Sequence, residues 1–383
     1  MLNNRKLILD AMCDVYTILK PWCSVEFYDF ATHEPVPDSV YVLGRKQFTE
    51  NIALVRELAK DVRYTMVFDN VAEGSDTLVS QIQVLGIVQQ VKNKEILVIS
   101  GGSMDHEYPS LPYDHFLSVI FDYESNHQAI KSTSEIFSKK NKPHTFLFLN
   151  GRGRPHRKFL IETLRSRDCL DQALWTNLDG RPSPSRDFSF IKNGEDLLAK
   201  PAELKWLPAE YEHNEFRNVE INTSDSKRKF IKMDLFNNSW GEIYLEPTAY
   251  TDTYFSLVTE TVYNNPNSFR TEKIAKPLAM GHPFIVAANP GYYRDLKNLG
   301  FRTFDHLIDE SFDIIENHQA RMNKVAQVVH NVVQSDLAAF VAAAEDVCKY
   351  NQQQLLGFAD RVRGELPDRF FNFLNTHERF RLS

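Results

Sequence analysis

Residues 146–164 read FLFLNGRGRPHRKFLIETL, and their reading decides the fold. The run Phe146–Leu149 is short, aromatic-rich and apolar, as in a strand buried on both faces. Asn150-Gly-Arg-Gly-Arg is turn chemistry. Pro155 suits a first helical turn, because its missing N–H would have no intrahelical partner there. His156 to about Arg167 then has helical character. Strand, glycine-containing loop and helix in succession is the repeating unit of a parallel α/β sheet.

The same alternation extends on both sides. Upstream, FTENIALVRELAK (48–60) has helical spacing and YTMVFDN (64–70) reads as a strand. SDTLVSQIQVLG (75–86) reads as a helix closed by Gly86, and EILVISGG (95–102) as a buried strand ending in two glycines. HFLSVIFDY (115–123) is expected to be another strand. Residues 1–45, broken by Pro35 and Pro37, give no clear pattern. Downstream come QALWTNL, a polar stretch over 190–240, EIYLEP, YFSLVTET, a helix around KIAKPLAMG, PFIVAAN and YYRDLKNLGF. From Phe312 the pattern is helical, with Ile314, Ile315, Met322, Val325, Val328, Val329, Val332 and Val333 in register. The expected domains are 1–140 (α/β), 141–320 (α/β) and 321–383 (helices that cross back onto the first). The polar Lys139–Pro143 segment marks the first boundary. Ligands of such sheets bind beyond the carboxyl ends of the strands.

Bulk composition narrows the function classes. With 43% hydrophobic residues, the 383-residue chain can bury a core in each half. Its net charge of -7 disfavours broad electrostatic binding to nucleic acid or an anionic membrane. Cys13, Cys23, Cys169 and Cys348 form no CxxC pair and read as reduced thiols, which fits a cytoplasmic protein. No window offers the roughly 20 apolar residues of a membrane span, and the N-terminus carries no signal-peptide pattern. The 12 histidines show no metal-ligand spacing and no Asp-x-Asp occurs, so no metal is expected.

Against an acidic background, Arg152, Arg154 and Arg157 stand within six residues at one strand end. A helix N-terminus there offers free N–H groups and partial positive charge, and arginines clamp phosphate oxygens bidentately. A diphosphate suits that loop, and so do solvated charges. The loop is neither GxGxxG nor GxxxxGK[ST]. A second constellation lies in 253–304. SLVTET ends a strand at Glu260, a polar loop follows, and Thr271-Glu272-Lys273 opens a helix. Lys273 adds charge for phosphate, and Glu260 and Glu272 can accept hydrogen bonds from sugar hydroxyls. Helix capping by Thr271 and a helix-dipole interaction of Glu272 explain the same residues without a ligand. Tyr254 stands just before the strand and could stack on a base or ribose.

These residues resemble the donor-binding half of the α-1,3-fucosyltransferases and related GT-B glycosyltransferases. There a strand-end Glu, a polar loop and Thr-Glu-Lys precede a helix, and an arginine holds the donor diphosphate. Glu260 and Thr271-Glu272-Lys273 match the first pattern, and Arg157 matches the second. The string LNGRGRPHR … SLVTET … TEKIAKPLAMGHPFI … LGFRTF … DESFD resembles bacterial and viral sequences assigned to glycosyltransferases more closely still. The resemblance spans about residues 144–321. It implies two Rossmann-like domains with a helical C-terminal tail. It also implies a nucleotide-sugar donor as co-substrate, a glycan or other hydroxyl acceptor, and an inverting, metal-independent hexosyl- or fucosyl-type transfer. The fucosyltransferases follow the strand-end Glu with Asn where this chain has Thr261, which leaves the nucleobase open. The implied donor contacts are Asn150, Arg152, Arg154, Arg157, Tyr254, Glu260, Thr271, Glu272 and Lys273. The general base is expected at a strand end of the first domain. Asp105 and Glu107 follow EILVIS and Gly101-Gly102, whose lack of side chains would admit a ligand. The competing reading is an inactive GT-B-like nucleotide-binding or protein-interaction module.

Overall fold

The computed structural model describes residues 5–27, 30–102, 104, 108–121, 124–131, 134–150, 154–177, 203–204, 245 and 247–376. The chain is α/β, with two largely parallel sheets and a helical C-terminal stretch. It divides into two compact units. Unit 1 comprises 1–118, 267–270 and 358–383, and unit 2 comprises 119–266 and 271–357. The first stretch of unit 1 ends at Ser118, ahead of the polar segment near 140 at which the sequence places a boundary.

Unit 1 holds a six-stranded parallel sheet. Its strands are β1 (Lys6–Asp10), β2 (Val25–Phe27), β3 (Ser39–Leu43), β4 (Tyr64–Asn70), β5 (Ile96–Ser100) and β6 (Ser110–Pro112), in the order β2-β1-β3-β4-β5-β6. Every residue of β3, β4 and β5 is buried, as expected of central parallel strands covered on both faces. Tyr41, Phe48, Phe68, Leu78, Ile82 and Val98 belong to one core, in which the Phe48 and Phe68 rings stack 4.1 Å apart. Within 48–60 the chain forms two short helices, Arg45–Glu50 and Ile52–Leu58, interrupted at Asn51. Residues 75–86 form the helix Ser75–Val84, and Gly86 (φ +65°) closes it in the left-handed region that glycine adopts at low cost. The expected strand at 115–123 is instead the helix His115–Val119. A short apolar run fits a buried helix as well as a strand.

Unit 2 carries the strands β7 (His144–Asn150), β8 (Leu174–Asn177), β9 (Glu203–Leu204), β10 (Thr253–Thr259) and β11 (Phe284–Ala287), in the order β11-β10-β7-β8-β9. All pairs are parallel except β8 with β9. Phe146, Phe148, Phe255 and Phe284 are wholly buried. The helix Pro155–Arg165 follows β7, and the helix Glu272–Ala279 precedes β11. The helix His318–Val333 packs against Pro155–Arg165 and β11 through Met322, Val325, Val328, Val329 and Val332. The helix Leu337–Asn375 closes the described chain. Among the described residues no helix is long and apolar enough to cross a membrane. All four cysteines are free thiols, and three of them are buried.

Candidate functional site

The C-terminal ends of β7 and β10 lie side by side in unit 2, and the predicted site residues gather there. The Thr259 hydroxyl donates to Asn150 Oδ1 at 2.7 Å, joining the two strand ends. Arg157, on the first turn of the helix after β7, donates through Nη2 to the Thr259 carbonyl at 3.2 Å. His156 bonds the next carbonyl, that of Glu260, through Nε2 at 2.8 Å. A carbonyl only accepts, so Nε2 carries the hydrogen and Nδ1 presents a lone pair. The ring stacks on Tyr263 at a centroid distance of 4.4 Å. Burial, together with the charges of Arg157, Arg154 and Lys273, holds His156 well below its ordinary value, so the ring is neutral. All three cations therefore act on one buried ring. The structure brings Asn150, Arg157 and the Thr-Glu-Lys segment to one corner of the sheet.

Glu260 is fully buried and accepts four hydrogen bonds. Oε1 takes the Thr271 N–H at 3.1 Å and the Tyr292 hydroxyl at 2.8 Å. Oε2 takes the Thr261 N–H at 3.2 Å and the Thr271 hydroxyl at 2.6 Å. Two carboxylate oxygens offer about four acceptor positions, so donors of the chain itself occupy them. This carboxylate is the keystone that fixes both ends of the 261–271 loop. Thr271 caps the helix Glu272–Ala279 by accepting from the Lys273 N–H. Lys273 Nζ lies 3.2 Å from Thr271 Oγ1 and 3.3 Å from Thr261 Oγ1, and it pairs with Glu272 Oε1. Burial pushes the Glu272 carboxyl up, but the charge and hydrogen bond of Lys273, with the charge of Lys276, hold it below the usual range. Glu272 is therefore an anion committed to Lys273.

Tyr254 does not join this corner. It is the second residue of β10 while Glu260 follows the last, a separation of roughly 20 Å at strand rise. Its hydroxyl accepts from the Lys142 N–H at 3.1 Å and donates to the Lys140 carbonyl at 3.3 Å, at the opposite sheet edge. Arg152, Asp105 and Glu107 lie outside the described residues. Gly101 and Gly102 are required by the chain's own packing in unit 1. A Cβ at Gly101 would stand 2.1 Å from the Val71 carbonyl and 2.6 Å from the Phe269 ring, and one at Gly102 would stand 2.6 Å from the Ser268 carbonyl. Neighbouring backbone and Phe269 thus occupy the space expected for a ligand.

Two residues of unit 2 escaped the sequence reading. Tyr292, which holds Glu260, sits in an ordinary helix-start context and gave no signal. Arg321 did give one, a charge in the apolar register 321–325–328–332. It is almost wholly buried and donates to the carbonyls of Ala288 (2.9 Å), Ile315 (2.6 Å), Glu316 (3.2 Å) and Tyr263. Burial lowers its pKa to about 10, so it stays charged at neutral pH. It pins the start of the 261–271 loop to the end of β11.

At this corner, cations, helix-start N–H groups and strand-end hydroxyls converge. That arrangement can hold a polyanion bearing hydroxyl groups. No family model, no curated protein and no solved structure matches the chain.

Proposed function

We propose that unit 2 binds the diphosphate of a nucleotide-sugar, and that the chain is a glycosyltransferase of GT-B architecture acting on a hydroxyl acceptor. The observation that carries this reading is the placement of Arg157 and Lys273 on Thr259 and Thr261, on either side of Glu260, beside the start of the helix Pro155–Arg165, whose N-cap residue, Arg154, contributes no side-chain cap. Cations aimed at a departing diphosphate lower the barrier where charge develops, with no metal needed for that step. The resemblance supplies the reaction class, an inverting transfer in which an acceptor hydroxyl displaces the nucleoside diphosphate. The base of that reaction has no assigned residue.

Lys273 gives the cleaner test, because Arg157 also ties the helix to β10. Lys273→Ala is expected to weaken binding of UDP, GDP, CDP or ADP, whichever the wild type prefers, by at least about tenfold (one charge-assisted phosphate contact). EDTA should leave wild-type binding unchanged. Calorimetric titration reads both. Wild-type-like affinity in the variant removes Lys273 from the site, and no binding of any nucleoside diphosphate removes the reading itself. One observation favours a nucleotide-binding module without transfer activity. Glu260 and Glu272 spend their acceptor capacity inside the chain, which leaves less to hold a sugar.

A further inference from the structure

At the end of β10, three consecutive residues each receive one side chain from a helix start. The Thr259 carbonyl takes Arg157 Nη2 at 3.2 Å, the Glu260 carbonyl takes His156 Nε2 at 2.8 Å, and the Thr261 hydroxyl takes Lys273 Nζ at 3.3 Å. Consecutive Cα atoms stand about 3.8 Å apart, so the imidazole is set between a guanidinium and an ammonium. His156 is the second residue of the helix Pro155–Arg165, which runs for 11 residues. Helical side chains lean toward the N-terminus, so the ring lies over the helix start. Pro155 has no N–H to offer there, and the N-cap residue, Arg154, makes no side-chain cap. His156 is 0% exposed, and its Nδ1 lone pair meets no donor among the described residues. A buried acceptor left without a donor is unfavourable. Protonation does not relieve it, because burial and the neighbouring cations hold the ring neutral.

We propose that His156 Nδ1 accepts a hydrogen bond from a sugar hydroxyl of the phosphate-bearing ligand, so that His156 separates hydroxylated from deoxygenated ligands. This rests on the diphosphate reading of the same corner. The surroundings of Nδ1 select the kind of donor. A cationic donor such as an ammonium is repelled by Arg157 and Lys273. An ionised phosphate oxygen goes to those cations and has no hydrogen to give. A hydroxyl is neutral, donates one hydrogen and stands close to a phosphate when both belong to one ligand. The carboxylates of the corner do not compete for it. Thr261, Thr271 and Tyr292 fill the acceptor positions of Glu260, and Glu272 is paired with Lys273. The histidine therefore takes the hydroxyl that the two acids cannot. Ribose and transferred sugar hang from the same diphosphate, and either can supply it.

The test uses the full chain and whichever of UDP, GDP, CDP and ADP the wild type binds best. One arm compares that nucleotide with its 2′-deoxy and 3′-deoxy forms. The other compares its glucose conjugate with its 2-deoxyglucose conjugate. In calorimetric titration, removing the hydroxyl that meets Nδ1 is expected to weaken wild-type binding by about five- to tenfold, and the arm that responds names ribose or transferred sugar. In His156→Gln the amide N–H replaces Nε2 at the Glu260 carbonyl, but no acceptor stands at the place of Nδ1. That variant should bind hydroxylated and deoxy forms alike, and inorganic pyrophosphate as tightly as wild type does. His156→Asn, whose side-chain oxygen falls at the place of Nδ1, should restore the preference. In wild type labelled with ¹⁵N-histidine, the Nδ1 resonance should move with the hydroxylated ligand and not with the deoxy form, a readout that needs no variant to fold. The proposal is overturned if a nucleoside diphosphate binds and no hydroxyl matters in either arm, or if His156→Gln keeps the wild-type preference. Should no nucleoside diphosphate bind at all, the diphosphate reading falls and the proposal with it.

Discussion

Glu260 shows how one side chain can organise a site without touching a ligand. Its four donors come from residues 261, 271 and 292, so it holds a loop and a helix start to the end of β10. Tyr292→Phe removes one hydrogen bond to a charged acceptor and is expected to cost about 1.5–3 kcal/mol. Glu260→Gln turns an amide N–H₂ toward at least one donor and should cost more, because a buried donor is then left unsatisfied. Urea unfolding of both variants reads the order, and a Gln variant as stable as wild type would contradict the keystone role. The corresponding residue in unit 1 is Asp10, whose carboxylate joins the turn after β1 to the end of β3.

The strands that the sequence made legible are those apolar on both faces. β4 and β7 fall where expected because YTMVFDN and HTFLFLN cannot stay exposed. Phe148 at the centre of β7 carries that burial, and Phe148→Ala should destabilise unit 2 by about 3–5 kcal/mol in chemical unfolding. β1, β2 and β3 went unread because they lie in the stretch that the prolines at 35 and 37 interrupt. The run at 115–119 went to a helix because burial, not period, is all it encodes. The candidate site was half legible for a related reason. Arg157, Thr271 and Lys273 are helix-start residues whose place follows from local sequence. Tyr254 was misplaced by one strand length, because a strand's entry and exit lie at opposite edges. Tyr292 and Arg321 act through partners tens of residues away, which no local pattern reports.

For the whole molecule, the buried titratable groups make opposite demands on pH. In unit 2, burial holds His282 down at about 3 and His156 well below its ordinary value. Folded pKa values below the unfolded one give stability that is present above pH 6.5 and lost as the pH falls toward 3. In unit 1, burial lifts Asp69 to about 8, above the unfolded carboxyl value. Its contribution is present near pH 4 and is lost as the pH rises to about 8. His115, lowered to about 4, offsets part of this below pH 6.5. Unit 2 should therefore gain from its histidines on going from pH 5 to pH 8, offset in part by Glu310 and Asp313, whose carboxyls burial raises, while unit 1 loses. Hydrogen exchange resolved by segment at the two pH values checks this, and Asp69→Asn should flatten the loss in unit 1. A parallel response of both units would refute the assignment.

Unit 1 is assembled from three separate stretches of chain, the last beginning at Phe358, whereas unit 2 is complete at Gly357. Synthesis runs in one direction, at about 5–20 residues per second. The half translated first is thus the half that finishes folding last. The six strands of its sheet leave the ribosome early and wait for the second half of the helix Leu337–Asn375. During that interval the central apolar strands depend on chaperones or on their own edge residues to avoid pairing with neighbouring chains.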